Sequence, residues 1–120
     1  VLTIGIVGSR RRHNSDTFEA IEREFNKFYV PGQTIICSGL CPQGADAFAV
    51  TLSNRYTTGK LWFPADWKRY GRGAGFMRNT YIAQYSDILI ASPAPDRKGG
   101  TEDTIKKFVG LKGKDNLILV

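Results

Sequence analysis

The 120-residue chain reads as an α/β protein on one mainly parallel five-stranded sheet, of strand order 3-2-1-4-5, with helices on both faces. Two observations carry that expectation, and a third says where a site would lie. The chain opens on Leu2-Thr3-Ile4-Gly5-Ile6-Val7, an apolar, β-branched run of the kind that fills a strand buried on both faces. Short apolar runs then alternate with segments of helical period, the pattern of parallel βαβ units. The loops that follow the strands carry the glycines: Gly8-Ser9-Arg10, Ser38 to Gly44, and Lys98-Gly99-Gly100-Thr101. In such a sheet these loops share the C-terminal edge, and ligands bind there where the strand order reverses. Here that place is between the first and fourth strands.

The elements follow in order. After the first strand a polar loop runs to Ser15, and Asp16 with Glu19 three residues on predicts a helix start. Phe18, Ile21, Phe25 and Phe28 share one helix face, with Glu22, Arg23 and Lys27 off it. Pro31-Gly32 ends that helix, and 34–37 makes a second strand. Ala45, Phe48, Ala49, Leu52 and Tyr56 mark the inner face of a second helix. A third strand is expected over 60–63, followed by the longest loop, 64–73. A third helix over 74–84 would turn Met77, Tyr81, Ile82 and Tyr85 inward. The fourth strand falls at 87–91, a Pro- and Gly-rich loop at 92–100, a fourth helix at 101–109 and a last strand at 116–120.

Length bounds the chain to one domain, 1–120. A hydrophobic content of 42% with 23% charged residues is that of a globular protein. No apolar stretch approaches the roughly 20 residues that span a bilayer. The opening run has no basic residues before it and Arg10-Arg11-Arg12 after it, unlike a secretory signal. A cytoplasmic, reducing setting is expected, with Cys37 and Cys41 as free thiols. Two cysteines and the single His13 do not make a zinc site, so no metal and no cofactor are expected. The net charge of +6 favours an anionic partner, nucleotide or nucleic acid. Its basic groups include Arg10 to Arg12, Lys68-Arg69 with Arg72, and Lys106-Lys107 with Lys112 and Lys114. The last group complements the dipole at a helix C-terminus.

Gly8-Ser9-Arg10 lacks the lysine and later glycines of the common phosphate loops. Its glycine still permits close approach, while Ser9 can donate to a phosphate and Arg10 can grip it bidentately. Ser38-Gly39 and Gly44 lead to a helix N-terminus, where amides and dipole favour an anion. Asp46 in that first turn has two readings, a helix-stabilising carboxylate or a ribose-binding or catalytic one. Thr101 suits an N-cap with or without a ligand. Trp67 and Tyr70, among Lys68, Arg69 and Arg72, can stack on a base or pack on the next helix.

Taken together, Gly8-Ser9-Arg10, Ser38-Gly39, Gly44-Ala45-Asp46, Phe63-Pro64-Ala65-Asp66-Trp67, Tyr70-Gly71, Ala74-Gly75, Arg78-Asn79 and Gly100-Thr101 resemble YspA/YpsA-related proteins of the SLOG superfamily. The resemblance spans nearly the whole chain and implies a Rossmann-like three-layer fold that binds or processes nucleotides and nucleotide-derived ligands. It extends to the LOG phosphoribohydrolases, whose catalytic helix arginine is similar to Arg78. Their catalytic glutamate position is Thr104 here, and Glu102 is displaced by two residues, onto another side of the helix. The DprA single-stranded DNA-binding proteins are also related. A homo-oligomer is implied as well.

The expected site follows from the residues and the resemblance together. Gly8, Ser9, Arg10, Ser38, Gly39, Gly44, Gly100 and Thr101 would hold phosphate, with Asn79 on a ribose or phosphate oxygen. If the chain is an enzyme, the reaction is hydrolysis of an N-glycosidic bond. Asp66 or Asp46 would then be the acid/base and Arg78 the electrostatic stabiliser. The alternative is a single-stranded nucleic acid module using Trp67 and Tyr70.

Overall fold

The computed structural model describes residues 1–120. It contains β1 (Leu2–Gly8), α1 (Ser15–Asn26), β2 (Thr34–Ser38), α2 (Ala45–Arg55), β3 (Gly59–Trp62), α3 (Trp67–Tyr70), α4 (Ala74–Tyr85), β4 (Ile88–Ser92), α5 (Gly100–Lys112) and β5 (Leu117–Leu119). Single 3-10 turns lie at Arg10–Arg12 and Gly71–Gly73. The five strands form one sheet in the order β3-β2-β1-β4-β5, and every pairing is parallel. The expected architecture is the observed one. No helix is long and apolar enough to cross a membrane.

Strand alternation divides the core in two, because successive side chains leave a strand on opposite faces. Ile4 and Ile6 of β1, Ile36 of β2 and Ile90 of β4 face one way, onto Ile21 and Phe25 of α1 and Ala45, Ala49 and Leu52 of α2. Val7, Cys37, Leu89 and Ala91 face the other, onto Ile82 and Ala83 of α4 and Ile105 and Phe108 of α5. Helices α1 and α2 therefore cover one face, α4 and α5 the other, and the change of face coincides with the reversal of strand order at β1.

Several local expectations are corrected. The cap of α1 is Asn14, whose Oδ1 accepts from the Thr17 amide at 2.9 Å; Asp16 sits inside the first turn instead. The 64–73 loop contains a one-turn helix, with Asp66 as its cap accepting from the Arg69 amide at 3.1 Å. Helix α4 does not turn Met77, Tyr81 and Tyr85 inward: these are 37%, 44% and 54% exposed. Its buried side is Ala74, Asn79, Ile82 and Ala83. The reason is the close seating of α4 beside α5, which small residues and a hydrogen-bonding Asn79 allow and bulky aromatics do not. Thr101 is not the cap of α5; Gly99 is, and the helix starts at Gly100.

Phe25 is fully buried between α1 and the sheet, stacked on Tyr29. Phe25→Ala should lower unfolding stability by about 3–5 kcal/mol through lost burial and a residual cavity, read from urea denaturation followed by far-UV circular dichroism.

Candidate functional site

The crevice at the C-terminal edge of β1 opens into a cavity of about 650 Å³, within the size range of small-molecule sites. Its walls come from five segments. The loop after β1 gives Gly8, Ser9, Arg10 and Arg11; the loop after β2 gives Gly39 to Pro42 and α2 gives Asp46. Pro64, Ala65, Trp67 and Arg72 come from the stretch after β3. Gly75, Phe76, Arg78, Asn79 and Ile82 belong to α4, and Lys98 to Thr101 with Thr104 to the start of α5.

Charge dominates the lining. Arg10, Arg11, Arg72, Arg78 and Lys98 reach it against a single acid, Asp46. Arg11 is held at the rim by Asp96 at 2.6 Å. That contact sets the Asp96 carboxyl below the ordinary carboxylate range, its hydrogen bond from Arg11 being the main cause. The side chains of Arg10, Arg72 and Lys98 make no ion pair or hydrogen bond within the chain. At the start of α5 no side chain caps the helix, and the amides of Gly100 and Thr101 meet no backbone acceptor. The first amides of a helix carry partial positive charge, so this wall adds to the same field.

Arg78 is the most constrained of the cations. Its Nε donates to Asn79 Oδ1 at 2.9 Å, its Nη1 donates to the Gly39 carbonyl at 3.1 Å, and Nη1 lies 4.0 Å from Asp46 Oδ2. Gly39 is what admits it: a Cβ there would stand 2.2 Å from Nη1. Asn79 then ties Arg78 to α5, donating from Nδ2 to the Gly100 carbonyl at 3.3 Å and to Asp103 Oδ2 at 3.2 Å. Its amide is thus spent on positioning, although a sugar contact was expected of it.

Asp46 is 8% exposed at the start of α2. Its Oδ2 accepts from the Cys41 amide at 3.0 Å, and its Oδ1 lies 3.0 Å from Ser38 Oγ. Burial pushes the carboxyl above the ordinary aspartate range, opposed by the Cys41 amide and by Arg78.

The structure brings Gly8, Ser9, Arg10, Gly39, Asp46, Arg78, Asn79, Gly100 and Thr101 to one cavity, and leaves three expected residues out. Ser38 is fully buried beneath the site, where its hydroxyl serves Asp46 and the Ile6 carbonyl. Gly44 turns its amide to His13 Nδ1 at 2.9 Å, away from the cavity. Its φ of 74° and the Ser9 carbonyl, 2.7 Å from where a Cβ would be, reserve that position for glycine. Asp66 is exposed and occupied with capping α3. Ser9 itself accepts from the Arg11 amide at 3.1 Å and so shapes the turn that aims the arginines.

The cations Arg11, Arg72 and Lys98 complete the lining and were not among the expected site residues. Their signal was present in the basic clusters, but which member of a cluster faces inward depends on loop conformation. The lining is partly apolar, with Trp67 60% and Phe76 58% exposed and Leu40 also in the wall. Trp67 lies against Gly75 of α4, as the packing reading of its ring expects. Tyr70 is outside the cavity, with Arg69 over its ring. No family model, curated protein or solved structure matches this chain.

Two outcomes are expected. Gly39→Ala should displace the Arg78 guanidinium and weaken anion binding. Its stability cost should be no more than about 1 kcal/mol, because the end of a long side chain can swing aside. Sulfate titration and urea unfolding of the variant check the two halves. Burial raises the Cys37 thiol to about 11, so at about pH 8 a thiol reagent should leave it unmodified until the protein unfolds. Mass spectrometry of the labelled peptides reads this directly.

Proposed function

We propose that this chain binds a nucleotide or nucleotide-derived phosphorylated ligand at the C-terminal edge of the sheet. The observation that carries the reading is the concentration of Arg10, Arg72, Arg78 and Lys98 with the uncapped start of α5 around one cavity. Guanidinium groups and helix-start amides match phosphate oxygens in charge and in hydrogen-bond direction. The aromatic rim of Trp67 and Phe76 offers a flat apolar face for a base beside the phosphate end. The resemblance of the loops to YspA/YpsA-related SLOG proteins supports the same ligand class and a cytoplasmic setting.

Binding is favoured over turnover. Hydrolysis of an N-glycosidic bond by general acid/base catalysis calls for a carboxyl group able to reach the reacting atoms. Asp66 is outside the cavity, Asp46 has both oxygens engaged, and Glu102 is paired with Arg97 at 2.8 Å.

A panel of nucleoside mono- and diphosphates and sugar phosphates, screened by thermal shift, tests the reading. At least one nucleotide should raise the melting temperature. Arg78→Ala should weaken its binding by about 10- to 100-fold, the worth of a charge-assisted bidentate contact. Asp66→Ala should bind as the parent does. No stabilisation by any member, or equal loss in the Asp66 variant, would sink the proposal. Affinity that grows with oligonucleotide length and falls steeply with salt would instead favour single-stranded nucleic acid.

A further inference from the structure

We propose that Asp46 is a neutral carboxylic acid in the folded protein, its proton held on Oδ1 and donated to Ser38 Oγ. The cavity then carries no negative charge, and binding of an anion is coupled to retention of that proton.

Ser38 has a single hydroxyl proton. Its Oγ lies 2.6 Å from the Ile6 carbonyl oxygen and 3.0 Å from Asp46 Oδ1. The carbonyl can only accept, and it lies just past the point where the register of β1 with β2 ends, at Gly5 and Cys37. The shorter contact therefore claims the hydroxyl proton. What Ser38 presents to Asp46 is a lone pair, and a carboxylate facing a lone pair in a buried site is repelled. A proton on Oδ1 resolves both contacts: Asp46 donates to Ser38, and Ser38 donates to Ile6. The other oxygen, Oδ2, keeps its acceptor role toward the Cys41 amide at 3.0 Å. The same assignment answers the burial of the side chain, since a neutral acid avoids the cost of an ion removed from water.

The surrounding groups are consistent with it. From β2, the Cys37 thiol stays neutral below about 11. From α4, Arg78 Nη1 stands 4.0 Å from Oδ2, a spacing at the outer limit of an ion pair, while its better bonds go to Gly39 and Asn79. Two residues before Asp46, the Gly44 amide donates to His13 Nδ1 and so faces away from the carboxyl. The cations Arg10, Arg11, Arg72 and Lys98 share the cavity. They pull the acid toward ionisation when the cavity is empty of anions. A bound anion screens that pull and raises the affinity of Asp46 for its proton. The sign follows: anion affinity falls as pH rises through the titration of Asp46.

This inference rests on the anion-binding reading only for its second half, and the experiment separates the two. Infrared difference spectra of the protein against Asp46→Asn at about pH 7 should contain a protonated-carboxyl stretch that the variant lacks. Asparagine reproduces the donor on one side and the acceptor on the other, so the variant should fold and melt no lower than the parent. Its advantage should grow as pH rises above about 3.9, where the unfolded aspartate ionises, because a raised folded-state value means stability lost with increasing pH. Sulfate, whose charge is constant over that range, should stabilise the parent less as pH rises and the variant equally throughout. Absence of the infrared band, or an Asp46→Asn protein that fails to fold or loses ground with rising pH, would overturn the neutral acid. A band that persists while sulfate stabilises neither protein supports the neutral acid and removes the anion-binding reading instead.

Discussion

Strand β1 is hydrogen-bonded on both sides, to β2 through Leu2–Gly5 and to β4 through Ile4–Gly8. A strand in that position has no edge and no exposed face, so both of its faces must be roofed by helices. Ile4 and Ile6 call for α1 and α2, while Val7 calls for α4 and α5. The same constraint makes the site. Because the helices that follow β1 and β4, α1 and α5, lie on opposite faces, the loops leaving these two strands diverge, and the gap between them is the crevice that arginine side chains line. Removing the central strand would take away the core and the cavity together.

Within the cavity the organisation is hierarchical. Asn79 and Gly39 hold Arg78, Ser38 holds Asp46, and Asp96 holds Arg11. Arg10, Arg72 and Lys98 have no such partners and keep their rotamer freedom. The cavity therefore presents a fixed guanidinium beside a fixed acid, surrounded by cations that can adapt. Preorganised groups cost least on binding and adaptable ones tolerate variety.

Much of this was legible in the sequence, for reasons that differ from element to element. Apolar runs as long as β1 and β4 admit few readings, and their alternation with amphipathic helices leaves little choice of topology. The face of α4 was not legible. The spacing of Met77, Tyr81 and Tyr85 satisfies helical period as well as the true inner positions do, and only the neighbouring α5 decides between them. Asp66 was misplaced because a four-residue helix is too short to leave a periodic trace, so its capping role was hidden among polar residues. Gly8, Gly39 and Gly100 were singled out through their loops and Arg78 through the family resemblance, yet Arg72 and Lys98 could not be told from exposed basic residues without the turn at Gly71–Gly73 and the positive φ of Gly99 that direct the chain there.

The two outermost strands are also the shortest, with four residues in β3 and three in β5 against seven in β1. Each presents only a brief row of unpaired amides and carbonyls, and Lys60 is exposed on β3. A passing strand from another molecule finds too little backbone to zip onto. Brevity at its margins thus limits edge-to-edge sheet growth and aggregation, in a chain whose central strands are among its most apolar stretches.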